Sequence, residues 1–194
     1  MDKKAKRLMT QIRDRGLPTE KFRSNATLLA DYLLDQFLHL ISKEDLANVV
    51  PVIVFRSSLV FLAPIVKKLP RSSIGFIGLK RDEKSAEAYQ YYIHLPKFTK
   101  ESIIVIFDPM LATAGTLLNA HAEVSKNYLH DTGERLHKCQ IYFVGYIAAQ
   151  YGYERAMSVI YKNNIVLLAV DPDLDSKKFI VPGLGDFGDR YFGT

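Results

Sequence analysis

The chain alternates short apolar, β-branched runs with longer segments in which apolar residues recur at helical spacing. The runs predict buried strands at 49–55, 73–79, 103–107, 139–149 and 165–170. The segments between them predict helices, beginning near Val60, Leu117 and Tyr151. Strands and helices therefore alternate at least four times, and this predicts an α/β fold with a doubly wound, mostly parallel sheet and helices on both faces.

A long amphipathic helix precedes the first strand. Apolar residues recur at steps of three and four and so form one face of this helix: Phe22, Ala26, Leu29, Leu33, Phe37 and Leu40. The breaking residues 16–18 come just before it, and Thr19 is a plausible N-cap. Residues 1–15 are charged with apolar residues at roughly helical spacing, which fits either an arm or a short helix.

The organisation predicted is one domain over residues 1–194, with residues 1–18 as an N-terminal arm. A length of 194 residues suits a single core. The chain contains no internal repeat, no low-complexity segment and no linker rich in glycine and serine.

The segment 103–116 has the features of a phosphate cradle. A buried strand ends at Asp108-Pro109, because proline cannot donate to a sheet ladder, and a loop of small and hydroxyl residues then leads into a helix. The first backbone N–H groups of a helix attract an anion, and Thr113 and Thr116 add hydroxyl donors. An ordinary strand-to-helix turn would show the same spacing, so the pattern alone leaves both interpretations open.

Two arginines also follow predicted strands. Arg56 comes directly after the strand 49–55, where its planar fork could bind a pyrophosphate or simply be solvated. Arg81 lies in the charged run that follows the strand 73–79. Ligands of doubly wound sheets bind beyond the carboxyl ends of the strands. We therefore expect both arginines and the loop 108–116 to meet at one rim.

Composition and charge narrow the function. The chain is 48% hydrophobic and 24% charged, as expected of a globular protein. Its net charge of +5 suits a protein that handles anionic phosphates and also permits nucleic-acid binding, but the charge is dispersed along the chain. No apolar run is long enough to span a membrane, and no apolar signal core follows the basic N-terminus. We expect a soluble, cytoplasmic protein that binds neither membrane nor nucleic acid.

Cysteine and histidine usage gives no sign of a metal centre. The single cysteine, Cys139, excludes an internal disulfide, and its place at the start of an apolar run predicts a buried, inert thiol. The five histidines form no metal-ligand spacing pattern, so no protein metal site is predicted.

Two segments resemble the uracil phosphoribosyltransferases. Asp-Pro-Met-Leu-Ala-Thr-Ala-Gly-Thr at 108–116 is similar to that family's phosphoribosyl-pyrophosphate loop. Pro-Gly-Leu-Gly-Asp-Phe-Gly-Asp at 182–189, followed by the ending Phe-Gly-Thr, is similar to its uracil-binding tail. The resemblance implies the type I phosphoribosyltransferase fold with a shaped C-terminal base-binding tail. It also implies pyrimidine salvage, in which phosphoribosyl pyrophosphate and uracil give uridine monophosphate and pyrophosphate, with Mg²⁺ carried by phosphoribosyl pyrophosphate.

The resemblance also implies site residues. Asp108 and Asp186 would be catalytic. Phosphoribosyl pyrophosphate would be bound by Arg56, Arg81, Asp108, Pro109, Met110, Leu111, Ala112, Thr113, Ala114, Gly115, Thr116 and Asp186. Uracil would be framed, largely through backbone atoms, by Ile180, Gly185, Asp186 and Phe187.

The sequence departs from the family at three places. Ser58 and Ala114 stand where the family has glycines that face phosphate, and the connection 42–48 is too short for the family's hairpin arm, which is used in dimer contacts.

The partners implied are the two small-molecule substrates and further copies of the chain, as a homodimer or higher homo-oligomer. The departures motivate an alternative, a weak or inactive relative that senses uracil, uridine monophosphate or phosphoribosyl pyrophosphate. An RNA-binding regulator on the same fold has only the basic charge behind it.

Overall fold

A computed structural model describes the backbone of residues 1–81 and 88–194. Side chains are described for residues 1–79 and 91–194. Its strands are β1 (Val49–Phe55), β2 (Gly75–Arg81), β3 (Ala88–His94), β4 (Ile103–Phe107), β5 (Met110–Leu111), β6 (Ile141–Val144), β7 (Ile147–Ala149), β8 (Ile165–Val166), β9 (Ala169–Asp171), β10 (Asp173–Leu174) and β11 (Ile180–Val181). Its α-helices are α1 (Lys3–Arg13), α2 (Thr19–Leu38), α3 (Leu62–Lys68), α4 (Gly115–Thr132), α5 (Gln150–Ala156) and α6 (Phe187–Phe192).

The main sheet has six strands in the order β3-β2-β1-β4-β6-β8. All neighbouring pairs are parallel except β2 with β3. The direction of winding reverses between β1 and β4, and in such sheets this switch point is where ligands bind, outside the carboxyl ends of the strands. The prediction of a doubly wound, mostly parallel sheet is confirmed.

Helices cover both faces of this sheet. Successive side chains of a strand point to opposite faces, so Val105 and Phe107 of β4 join one buried cluster, which includes residues of α1 and α2. Ile104 and Ile106 join the other, which includes residues of α4. The strands are apolar on both faces, which is why they appear in the sequence as unbroken apolar runs.

The three strands on the far side of β1 each break at the same level and then continue in a second, three-stranded sheet. β4, β6 and β8 belong to the main sheet, and their continuations β5, β7 and β9 form the second. The runs 139–149 and 165–170 are therefore each two short strands, and the prediction of one strand for each was wrong. At the break, the Pro109 carbonyl accepts hydrogen bonds from the N–H groups of Tyr146 at 2.9 Å and Ile147 at 3.3 Å.

The Tyr146 side chain fills the core behind this break. It is fully buried, and its hydroxyl donates to the Ala26 carbonyl of α2 at 2.6 Å. Burial raises the pKa of the Tyr146 hydroxyl well above its ordinary value. The break is thus tied through this tyrosine to the long N-terminal helix.

The edge strand β3 agrees with the extended excursion expected around Tyr91 and Ile93, since it pairs antiparallel with β2. β2 continues through Lys80 and Arg81, which the sequence had placed in a charged loop. The remainder of that predicted loop, 82–84, lies outside the described residues.

The N-terminal residues form a helix rather than an extended arm. The Asp2 side chain caps α1 by accepting from the Ala5 N–H at 2.7 Å, and Ala5, Met9 and Ile12 are buried. The N-cap of α2 is Pro18, whose carbonyl accepts the first helical bond, from Phe22, at 2.9 Å. The prediction of Thr19 as N-cap was wrong by one residue.

Other boundaries also differ from the sequence prediction. The helix expected to begin near Val60 is the 3₁₀ helix Ser57–Phe61 followed by α3, and the one expected to begin near Tyr151 is short, since α5 ends at Ala156. Cys139 is exposed, because it lies in the 3₁₀ turn Lys138–Gln140 just before β6, so the prediction of a buried thiol was wrong.

Within the described residues, no helix combines the length and the apolar character needed to cross a membrane.

Candidate active site

A cleft with a volume of about 350 Å³ lies at the switch point of the main sheet. The ends of β1 and β4, the start of α4, the β10–β11 hairpin and α6 surround it. Its lining consists of Val54, Phe55, Arg56, Ser57, Leu79, Asp108, Met110, Ala112, Thr116, Lys177, Lys178, Phe179, Asp186, Phe187 and Gly188.

Asp108 stands where β4 ends, and its side chain lines this cleft. The residue is 8% exposed. Its backbone N–H donates to the Val144 carbonyl at 3.2 Å, and its Oδ1 accepts from the Met110 N–H at 3.4 Å. A Cβ added at Gly145 would lie 2.5 Å from the Asp108 carbonyl oxygen, so only glycine fits behind this residue. Backbone contacts therefore fix the position of the carboxylate.

The loop that follows Asp108 leads into α4. Ala114 is the N-cap of α4 in the left-handed region, with φ 62° and ψ 7°, and its carbonyl accepts from the Leu118 N–H at 2.9 Å. The Ala114 methyl group is packed in the core on the α4 side of the sheet, since the residue is 3% exposed. Alanine here thus combines backbone strain with buried apolar contact.

Helix α5 supports the same loop from behind. A Cβ at Gly152 would lie 2.3 Å from the Ala112 carbonyl oxygen and 2.6 Å from that of Leu111. Arg155 of α5 donates from Nη1 to the Thr113 carbonyl at 2.7 Å. The loop 108–116 is consequently held at two places by residues far along the chain.

Arg56 follows β1 on the opposite side of the cleft. Its side chain is 63% exposed, and its Nη2 lies 3.8 Å from Asp189 Oδ1. Its guanidinium carbon is 6.0 Å from the centre of the Phe192 ring. The guanidinium thus lies beside α6 at the rim, where it is accessible to a ligand.

Ser58 does not face the cleft. It is fully buried, and its hydroxyl donates to the Phe107 carbonyl at 2.7 Å. The serine that replaces the family's glycine thus directs its side chain into the core. Its side chain instead ties the Arg56 segment to the residue just before Asp108.

The C-terminal tail is a folded element. The Phe187 ring is 1% exposed. It lies 5.3 Å from the Phe22 ring, 4.9 Å from Tyr146 and 5.9 Å from Tyr191, measured between ring centres. Asp186 caps α6 by accepting from the Asp189 N–H at 2.9 Å. Aromatic packing anchors the tail, and its residues Asp186, Phe187 and Gly188 line the cleft.

The structure brings seven of the predicted site residues to the cleft lining: Arg56, Asp108, Met110, Ala112, Thr116, Asp186 and Phe187. Seven other predicted site residues are described but are not among those that line the cleft: Pro109, Leu111, Thr113, Ala114, Gly115, Ile180 and Gly185. The Arg81 side chain lies outside the described residues, and its place in the site stays a prediction.

Sequence reasoning missed the β10–β11 hairpin, which brings Lys177, Lys178 and Phe179 to the cleft. Asp175 shapes the hairpin tip, because its Oδ1 accepts from the N–H groups of Lys177 at 2.8 Å and Phe179 at 2.9 Å. The sequence signal was two adjacent lysines just before the tail, which taken alone resemble any solvated pair.

Across the described part of the chain, no group of three or more histidine, cysteine, aspartate or glutamate side chains could hold a metal ion. The cleft instead combines three cationic side chains, Arg56, Lys177 and Lys178, with two carboxylates, Asp108 and Asp186. Such a site favours a polyanionic ligand that also carries hydroxyl groups.

Comparison with known proteins identifies the family. The uracil phosphoribosyltransferase family model matches residues 41–194. The uracil phosphoribosyltransferase of Campylobacter fetus is 38% identical over 141 residues, which are 73% of this chain but only 63% of that protein's length. That of Mycoplasma mobile is 32% identical over 206 residues, covering 96% of this chain and 93% of that protein.

A solved structure, that of the AQ2163 protein from Aquifex aeolicus, shares the fold with a TM-score of 0.81 at 29% identity. The match covers 100% of this chain and 96% of that one. The loop, the tail and the cleft between them thus occur in a chain that belongs to the uracil phosphoribosyltransferase family.

Proposed function

We propose that the protein transfers the phosphoribosyl group of phosphoribosyl pyrophosphate to uracil, giving uridine monophosphate and pyrophosphate. The observation that carries the proposal is Asp108, a carboxylate held by backbone contacts in a cleft between a helix N-terminus and the C-terminal tail. Membership of the uracil phosphoribosyltransferase family supports the same reaction.

The phosphate groups would bind along two sides of the cleft. The 5′-phosphate would lie against the first N–H groups of α4 and the Thr116 hydroxyl, where the helix dipole favours an anion. The pyrophosphate would lie toward Arg56, whose guanidinium can form two parallel hydrogen bonds to phosphate oxygens. The Lys177 and Lys178 ammonium groups would add positive charge from the hairpin.

The chemistry needs positioning more than a protein nucleophile. The C1–O bond to pyrophosphate breaks, a bond from C1 to the uracil N1 forms, and the N1 proton leaves. The ribose passes through an oxocarbenium-like state, so the protein has to align two reactants and neutralise a leaving polyanion. Asp108 would accept hydrogen bonds from ribose hydroxyls, and Asp186 would face the ribose or its magnesium-bound diphosphate. The substrate proposed is the magnesium complex of phosphoribosyl pyrophosphate.

Uracil would bind to the tail. The backbone of Ile180, Gly185 and Phe187 offers N–H and C=O groups that can pair with the edge of a planar base. Because the Phe187 ring is enclosed by aromatic neighbours, we infer that it stabilises the tail and does not stack on the base.

The oligomeric state, the cytoplasmic location and the single-domain organisation remain predictions. The connection 42–48 contains the 3₁₀ turn Asp45–Asn48 where the resemblance implies a hairpin arm. A homodimer of this chain would therefore need another contact surface.

The sensor alternative rested on Ser58 and Ala114. The first argument no longer applies, since the Ser58 side chain points into the core. The second is weaker than expected, because burial of the Ala114 methyl group offsets part of the backbone strain.

Formation of uridine monophosphate by the purified chain, with magnesium, phosphoribosyl pyrophosphate and either uracil or cytosine, tests the proposal. We expect product with uracil and little with cytosine. Absence of turnover, together with calorimetric binding of uridine monophosphate, would contradict the enzyme proposal and support the sensor.

A further inference from the structure

Two half-buried arginines, Arg13 and Arg190, hydrogen-bond the tail to the N-terminal helices. The strongest contact is made by Arg13, the last residue of α1. Its Nη2 donates to Asp171 Oδ1 at 2.6 Å, and its Nη1 donates to Asp171 Oδ2 at 2.7 Å. The Asp171 side chain is 6% exposed, so water screens this bidentate pair only weakly.

Arg13 and Asp171 also hydrogen-bond to the two backbone polar groups of one tail residue, Gly183. The Arg13 Nη1 donates to the Gly183 carbonyl at 2.8 Å, and the Gly183 N–H donates to Asp171 Oδ2 at 2.9 Å. Gly183 has φ 63°, and a Cβ there would lie 2.0 Å from the Ile180 carbonyl oxygen. Arg13 therefore holds a tight turn between Ile180 and Gly185, two of the residues expected to frame uracil.

In further contacts the tail supplies the donor and the N-terminal segment supplies the acceptors. Arg190 of α6 donates to the carbonyls of Ile12 at 2.6 Å, Leu184 at 2.5 Å and Asp14 at 2.5 Å. Its guanidinium carbon lies 4.2 Å from the centre of the Phe22 ring. The end of α1 is thus joined to the tail on both sides of Gly185.

We propose that Arg13 is a positioning residue for uracil, acting through Asp171 and the backbone of Gly183. This rests on the function proposed above. Arg13 lies outside the range 41–194 matched by the family model, and within the described residues it is not part of the cleft lining. Its hydrogen bonds to Asp171 and Gly183 lie on the base side, whereas Gly145, Gly152 and Arg155 support the loop 108–116, so we expect its effect to fall mainly on uracil.

The test compares Arg13→Lys with the control Arg7→Lys, which changes an exposed arginine on the same helix. Lysine keeps the charge of Arg13 but cannot make the bidentate contact while also reaching the Gly183 carbonyl. For Arg13→Lys we expect the KM for uracil to rise at least about fivefold, with kcat and the KM for phosphoribosyl pyrophosphate within about twofold of wild type. The control should match wild type throughout.

Asp171→Asn provides a second variant. It keeps a side-chain oxygen for the Gly183 N–H but weakens the ion pair, so it should raise the KM for uracil in the same way. The double variant should be no worse than the more affected single variant, because both changes act on one contact. Equal increases in both KM values, or an unchanged KM for uracil in a folded Arg13→Lys protein, would overturn the proposal.

Hydrogen exchange gives a readout that does not need turnover. Amides of 180–186 should exchange faster in Arg13→Lys than in Arg7→Lys, while those of 108–116 stay unchanged. A wild-type chain that forms no uridine monophosphate would contradict the proposed function. Unchanged exchange in the tail would instead contradict the role of Arg13, so the two failures are distinguishable.

Discussion

Ala114→Gly tests the backbone strain at the phosphate loop. Ala114 has φ 62° at the N-cap of α4, a conformation that glycine adopts without the steric conflict of a Cβ. The substitution relieves that conflict, but it also removes a methyl group from a residue that is 3% exposed. These two effects on the free energy of unfolding oppose each other. If the strain is real, the variant should therefore lose less stability than a glycine substitution at an unstrained buried alanine.

The magnitudes follow from the structure. Relief of the left-handed conformation should stabilise the folded chain by about 1–2 kcal/mol. Loss of the buried methyl group costs about 0.8 kcal/mol. The greater freedom of glycine in the unfolded chain costs about 0.4–1 kcal/mol more. We therefore expect a free energy of unfolding within about 1 kcal/mol of wild type.

Ala120→Gly is the matched control, because Ala120 is fully buried in the interior of the same helix. It loses the same methyl group and has no strain to relieve, so it should cost about 2 kcal/mol. Urea unfolding of both variants, followed by circular dichroism, measures the difference. If Ala114→Gly loses as much stability as Ala120→Gly, the account of a strained loop is wrong.

Two further predictions concern the support of the loop and the effect of pH. Gly152→Ala would place a Cβ 2.3 Å from the Ala112 carbonyl oxygen, so the loop 108–116 must shift. Initial-rate kinetics should then show the KM for phosphoribosyl pyrophosphate raised at least about tenfold. An unchanged KM would exclude α5 as the support of this loop. Burial, assisted by the charge of Lys138, lowers the pKa of His121 from its ordinary value of 6.5. As pH falls, His121 is therefore protonated in the unfolded chain before it is protonated in the folded one. The free energy of unfolding should consequently decrease as pH falls below 6.5. His121→Gln should show a flatter dependence in urea unfolding between about pH 5 and 7; identical slopes would contradict this.

Much of the fold was predictable because it depends on local pattern. The β-branched run 49–55 is a strand with those bounds, and Pro109 ends β4 because it lacks an N–H. The sequence also placed Arg56 and Asp108 at strand ends, and the parallel topology then brings both to one cleft.

The remaining features depend on contacts between distant residues. The break after β6 was missed because the chain stays apolar on both sides of it, and hydrophobic pattern does not record a change of sheet. Gly145 is needed only because the Asp108 carbonyl lies where its Cβ would be. Lys177 and Lys178 reach the cleft through a hairpin whose shape is set by Asp175. None of these contacts can be inferred from the local sequence around either partner.

The most direct test of the central claim is the rate of uridine monophosphate formation from uracil and magnesium phosphoribosyl pyrophosphate, compared between wild type and Asp108→Asn. Asparagine keeps the size of the side chain but removes the negative charge that would hold the ribose hydroxyls. We predict that both proteins fold equally well and that turnover falls at least about tenfold in the variant. Equal turnover would remove Asp108 from the site and contradict the account.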